Sequence, residues 1–278
     1  MATSMPTSMP SSLPKPRPIR LAFIGTGAIA KFAVAQLAQQ GQQPLAMIVR
    51  AGKESPASKT HPMHISSIDD LPSDIDVLVD CAGSEGFFLH VPPALTKGIN
   101  VISVSLAALA DPRCEAQVIS ALGQGGGRLR LVSGAIGGLD TLRAARVGGL
   151  DFVKYIGRKP PQAWKDSPAE QVLDLDQLSQ PAVHFSGTAR TAAQNYPKNA
   201  NVAAAVALSA LGFDDTTVEL IADPGIDENI HAIEAGGKFG RMQFSLSALS
   251  LPDNPKSSAL AAMSVVAAIL DHQEAMAF

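Results

Sequence analysis

The chain has 278 residues, 46% hydrophobic and 17% charged, enough for one large unit or two smaller ones with real cores. A formal net charge of −3 gives no electrostatic reason to expect nucleic acid or an anionic membrane surface as a partner. The two cysteines, Cys81 and Cys114, match no metal spacing and support no disulfide framework, which fits a reducing, cytoplasmic setting without a bound metal.

Residues 1–18, MATSMPTSMPSSLPKPRP, lack a continuous apolar segment and read as a flexible tail rather than a signal peptide or membrane span. Next, IRLAFIGTGAIAKFAVAQLAQQ passes from a strand-like run into a helical pattern with Ile29, Phe32, Ala33, Leu37 and Ala38 on one face. QPLAMIVR, VLVDCAG, NVISVSL and LRLVSG read as further strands, with helical spacers at 87–97 and 113–123. Strands alternating with helices predict an α/β fold, a doubly wound parallel Rossmann sheet over residues 19–134. From residue 135 to about 250 the grammar changes. LDFVKYIGRK, AVHFSGTAR, TVELIAD, NIHAIEA and MQFSLSAL alternate more clearly and predict a second α/β domain on a mostly antiparallel or mixed sheet. One helix, NANVAAAVALSALG, interrupts it with Gly212 as its cap, and residues 251–278 hold a last apolar helix expected to pack on the first domain.

FIGTGAIA carries the strongest chemical signal. Gly25, Gly27 and Ala30 fit G-x-G-x-x-A between a strand and a helix: a tight turn, a close backbone approach to a pyrophosphate, and a small residue for helix–strand contact. Ala28 and Ile29 open the helix, whose N-terminus offers free N–H groups to the anion. Where an acid would read the ribose of NAD, this chain has Arg50, which suits the 2′-phosphate of NADP, so NAD or NADP is the expected cofactor. Cys81, Ala82, Gly83 and Ser105 end later strands and are candidates to line the same crevice.

Of six histidines, His61 and His64 fall in a loop-like Pro-containing stretch, His90 in a helical spacer, His184 in a strand pattern and His272 near a helix end. His231, in ENIHAIEAGGKFG, is flanked by polar groups, and alternation places it with Ile233 and Ala235, away from Glu234. Its ring partner is then Asn229 or a residue from elsewhere, and Gly236-Gly237 is expected to make a hairpin turn. From pattern alone, a structural sheet histidine stands beside a catalytic one.

Taken together, SGAIGGLDTLRAARVGGLD, YIGRKPPQAW, YPKNANVAA, ADPGIDENIHAIEAGGKFG and NPKSSALAAMSVV resemble the bacterial L-aspartate dehydrogenase family from about residue 20 onward. The resemblance implies a homodimer of two-domain subunits. It also implies oxidation of L-aspartate to iminoaspartate with NAD or NADP, then release of oxaloacetate and ammonia, with the imine in some bacteria feeding NAD synthesis. It assigns catalysis to His231 and cofactor contacts to Ala135 and Asn201. Ser84 departs from the histidine that many relatives carry. An imidazole suits the proton steps of amine oxidation because it titrates near neutrality without a large shift. A dicarboxylic substrate calls for cations: Lys198 with Asn199, at a helix start, is the preferred site, and Arg158, Lys159 and Lys165 read as surface charges. Trp164 reads as a loop anchor. A related imine or hydroxy-acid reductase, or a non-catalytic NADP sensor, is the alternative.

Overall fold

The computed structural model describes residues 19–58, 61–197, 200–252 and 254–273. The expected N-terminal tail lies outside them. The first unit runs β1 (Leu21–Ile24), α1 (Ala28–Gln39), β2 (Ala46–Ile48), β3 (Met63–Ile65), β4 (Val77–Asp80), α2 (Gly83–Thr96), β5 (Asn100–Ser103), α3 (Pro112–Gly125) and β6 (Leu129–Leu131). Its six strands are parallel in the order β3-β2-β1-β4-β5-β6, the doubly wound arrangement expected from the sequence. LAFI and VLVD are buried along their whole length because helices cover both faces of the sheet.

Several boundaries differ from the sequence reading. The stretch read as a loop around His64 contains β3, a three-residue edge strand where the preceding proline costs no ladder bond. The buried stripe of α1 is Ala30, Ala33 and Leu37; Ala38 is exposed. Helix α2 starts at Gly83, four residues before the expected spacer. Helix α3 has clear ends: the Asp111 carboxylate accepts from Arg113 N–H at 2.9 Å, Pro112 opens the first turn, and Gly126 closes the helix at φ +72°.

The second unit contains α4 (Leu139–Gly148), β7 (Leu150–Lys159), β8 (Ala182–Thr188), α5 (Ala189–Asn195), α6 (Asn201–Ser209), β9 (Thr217–Ala222), β10 (Asn229–Gly237) and β11 (Gly240–Ala248). The sheet order is β11-β10-β7-β9-β8, mixed because β7 and β9 run parallel while the other neighbours are antiparallel. Helices α4 and α5 escaped the sequence reading; only α6 has the long apolar run. The cap of α6 falls on Ala210, and Gly212, at φ +86°, returns its N–H to Ala207 at 2.9 Å.

One apolar core links the units, joining Val101 and Leu106–Ala110 to Val153, Tyr155 and the alanines of α6. A second core lies on the other face of the parallel sheet. There α7 (Ala259–Asp271) places Val265, Ala268 and Ile269 against Phe23, Ala33 and Leu37, and Arg130 pairs with Asp271 at its end. No helix among the described residues is long and apolar enough to cross a membrane.

The hairpin after His231 corrects the expected turn. Gly236 and Gly237 are strand residues, Gly237 pairs with Gly240, and Lys238 and Phe239 make the turn. A Cβ on Gly236 would lie 2.5 Å from the Phe152 ring, and one on Gly237 would lie 2.3 Å from the Gly149 carbonyl. These glycines admit the neighbouring chain at close range; Gly240, at φ +113°, takes the turn conformation.

Candidate active site

A cleft of about 920 Å³ opens beside the carboxyl ends of β1, β2 and β4, where the strand order reverses. Gly25 sits there at φ +92°, and a Cβ on it would meet Ala82 Cα at 3.2 Å. Gly27 is the N-cap of α1 with open space beside it and no side-chain cap, so the N–H groups of Ala28, Ile29 and Ala30 remain for an anion. Ala30 is fully buried against the sheet. This cradle fits a dinucleotide pyrophosphate. Arg50 is exposed at the rim with Lys53, which the sequence reading passed over although it stands three residues on. Glu85 and His90 of α2 also line the cleft, as does His64 of β3.

Cys81 and Ala82 line the cleft at the β4–α2 turn, and burial lifts the Cys81 thiol well above its ordinary range, keeping it protonated. Gly83, at φ +76°, donates its N–H to Ser105 Oγ at 3.0 Å. Ser105 is only 1% exposed and holds the turn from behind. Asp80 completes the brace, accepting from Ser103 Oγ at 2.6 Å and Ala82 N–H at 3.1 Å, and burial raises its pKa. Asp80→Ala leaves those donors without a partner, at about 1–3 kcal/mol for each one that stays buried. Denaturant unfolding with NADP absent is expected to show that loss of stability.

Ala135 is buried in the loop after β6, and Asn201 opens α6, where its Oδ1 accepts from Ala107 N–H of the first unit at 2.9 Å. Both lie where the units meet, outside the lining of the cleft. Lys198 and Asn199 lie outside the described residues.

The His231 site is built on one sheet face. Gly157 of β7 stands directly opposite His231 of β10, and alternation puts Tyr155, Gly157 and Lys159 on the same side. His231 is 4% exposed, and its Nδ1 is 2.7 Å from Tyr155 Oη, the rings nearly parallel at 18°. A Cβ on Gly157 would lie 2.8 Å from that hydroxyl, so glycine is what lets the phenol cross to the imidazole. Tyr155, not Asn229, is the ring partner; Glu234 faces away, beside Gln243.

Lys159 corrects a second reading. Arg158 does pair on the opposite face, with Asp223 at 3.1 Å, and Lys165 pairs with the exposed Asp176 at 2.6 Å. Lys159 instead places its ammonium 5.0 Å from the Trp164 ring centroid, and burial lowers its pKa to about 8. Trp164 is fully buried, donates Nε1–H to the Ile221 carbonyl at 3.0 Å, and packs edge-on against His184 at 4.3 Å. The pairing of β8 shifts between Val183 and Phe185, and His184 sits at that irregularity with Nδ1 3.1 Å from Tyr196 Oη.

Burial first, and then the charge of Lys159, lower His231 to about 3 and His184 to about 4. The expectation of an unshifted imidazole is therefore overturned: both rings are neutral at pH 7. The unfolded chain binds more protons than the folded one between these values and the ordinary 6.5. Their contribution to stability is full above pH 6.5 and is lost as the pH falls toward 4 and then 3. Denaturant unfolding at pH 7 and 5 is expected to show lower stability at pH 5, with a smaller difference in His231→Asn.

Comparison with known proteins gives this geometry its context. Residues 140–272 match the family model "Aspartate dehydrogenase, C-terminal", and residues 25–131 match "Homoserine dehydrogenase, NAD binding domain". An L-aspartate dehydrogenase of Ruegeria pomeroyi is 50% identical over 252 residues, covering 90% of this chain and 91% of the relative. The chain belongs to the L-aspartate dehydrogenase family. Another relative, from Pseudomonas aeruginosa, is 43% identical over 93% of this chain and 99% of its own length. The crystal structure of aspartate dehydrogenase from Thermotoga maritima superposes with a TM-score of 0.75 at 26% identity, covering 94% of this chain and 99% of that one. Membership makes the chain an NAD(P)-dependent oxidoreductase, and the NAD binding domain model covers the stretch that holds Gly25 and Gly27. Among the described residues no group of His, Cys, Asp and Glu side chains is placed to hold a metal.

Proposed function

We propose that this chain oxidises L-aspartate to iminoaspartate, which water converts to oxaloacetate and ammonia, and that His231 carries the proton steps. Family membership supports the reaction, and the buried imidazole–phenol contact of 2.7 Å supports the residue. Gly25, Gly27 and the first turn of α1 would hold the pyrophosphate, with Ala82 and Gly83 toward the nicotinamide half. When bound, the nicotinamide supplies a hydride acceptor for Cα.

The amine must lose a proton before Cα can release hydride. With Nδ1–H donating to Tyr155 Oη, the lone pair of Nε2 is free to take that proton. Burial raises the pKa of Tyr155, so its hydroxyl stays neutral, and in the Nδ1–H tautomer it accepts this bond. The two carboxylates of the substrate bring negative charge next to Lys159 and His231, offsetting the lysine charge that, after burial, holds the imidazole pKa down. Once Nε2 has passed that proton to solvent, the same nitrogen takes one from the water that attacks the imine carbon and returns it to the departing ammonia. A nucleotide sensor has no use for this buried pair, and the alternatives have no comparable support.

The homodimer and a supply of iminoaspartate to NAD synthesis belong to this reading and rest on the family resemblance, and the cytoplasmic setting rests on cysteine usage. Both cysteines are free, in accord with a reducing compartment. For the cofactor, Arg50→Asp is expected to weaken NADP about tenfold to hundredfold, the size of one charge-assisted hydrogen bond, and NAD far less. Fluorescence titration with both nucleotides checks this; equal losses would remove the 2′-phosphate role of Arg50.

A further inference from the structure

Lys159 lies two residues beyond Gly157, the residue paired with His231, so strand geometry sets it about 7 Å further along the same face. Of the other cations of β7, Lys154 pairs with Glu219 at 2.8 Å and Arg158 with Asp223. Both those pairs involve the alternate, opposite-facing positions of β7. Lys159 is the cation of β7 that shares a side with His231. Trp164 fixes where its ammonium lies, and Trp164 is itself held by the Ile221 carbonyl and the His184–Tyr196 pair. That is a charge positioned by a buried aromatic wall, not a solvated surface lysine.

The substrate places its two carboxylates on a two-carbon frame, one on the reacting Cα and one on Cβ. An imidazole that works at the amine leaves the side-chain carboxylate one carbon away, needing a cation within a few ångströms along the strand. We propose that Lys159 is the specificity residue of this enzyme: its ammonium takes the side-chain carboxylate of the dicarboxylic substrate while His231 works at Cα. This rests on the reading of His231 given above. Its electrostatics agree: the Lys159 charge depresses both neighbouring imidazoles, and an anion drawn to it relieves that repulsion as it binds.

The test compares L-aspartate with L-asparagine, which keeps the size and loses the side-chain charge, at saturating NADP. In Lys159→Met, kcat/KM for L-aspartate is expected to fall about tenfold to hundredfold, as for one charge-assisted hydrogen bond. The value for L-asparagine should change far less, because any effect through His231 is common to both amino acids, so the preference for aspartate shrinks, and Lys159→Arg should recover part of it. A parallel fall for both substrates, or an unchanged preference, overturns the proposal. Should Lys159→Met fail to fold, inhibition of the wild-type enzyme decides: succinate is expected to compete with L-aspartate at least about tenfold more tightly than succinamate, and equal inhibition overturns it. His231→Asn, run alongside, should slow both amino acids equally. If it slows neither, the catalytic reading of His231 fails, while the aspartate-to-asparagine ratio still reports on Lys159.

Discussion

Replacing His231 by alanine is expected to lower kcat for L-aspartate about 10²–10⁴-fold, the usual contribution of a positioned general base. NADP affinity should hold, because the dinucleotide cleft is lined by the first unit and does not include β10. The substitution strands the Tyr155 hydroxyl in a buried site, which adds a stability cost of about 1–3 kcal/mol. His231→Asn, which keeps a polar group there, separates the two effects. Stopped-flow single turnovers at saturating NADP would isolate the chemical step. Near wild-type turnover in both variants would show that the imidazole is structural.

Gly157→Ala should produce the second-largest effect without altering either reacting side chain. The new Cβ would stand 2.8 Å from Tyr155 Oη and 3.1 Å from Leu220 Cδ2, so the phenol must move. The 2.7 Å contact with His231 then breaks or lengthens. A displacement on the order of 1 Å in a working group can cost about 100-fold in rate, and overpacking adds about 1–3 kcal/mol of instability. Tyr155→Phe removes the same bond with no added volume, so it should lower kcat in the same direction while leaving stability closer to wild type. Loss of kcat in both, with NADP binding retained, identifies Tyr155 as the residue that orients His231. Full activity in Tyr155→Phe would remove it from that role.

The nucleotide-binding half was readable because its chemistry is local. GTGAIA places turn, close approach and helix start within a few residues, and the buried runs LAFI and VLVD announce parallel strands. The face that holds His231 was only half readable. Alternation correctly put His231 with Ile233 and Ala235, but its partner sits on β7, far away in the chain. Which strands become neighbours is decided by the order β11-β10-β7-β9-β8, and no local pattern encodes that order. Lys159 was mistaken for a surface charge because GRKPP looks like a loop entrance. Counting parity along β7 would have grouped it with Tyr155 and Gly157. The Gly236-Gly237 pair misled for a related reason: a glycine pair suits a tight turn, but here the missing Cβ serves contact with Phe152 and Gly149. Ser105 is legible as a strand end at the crevice, but its bond to Gly83 comes from a turn 22 residues away in the chain.

Removal of hydride from Cα of L-aspartate, at the face shared by β7 and β10, must leave that hydrogen on the nucleotide. The direct measurement is turnover of L-aspartate deuterated at Cα with unlabelled NADP, followed by mass spectrometry of the reduced nucleotide. The account predicts reduced nucleotide carrying the deuterium, with oxaloacetate and ammonia formed in equal amounts. Reduced nucleotide without deuterium, or no reduction with either NAD or NADP, would contradict it.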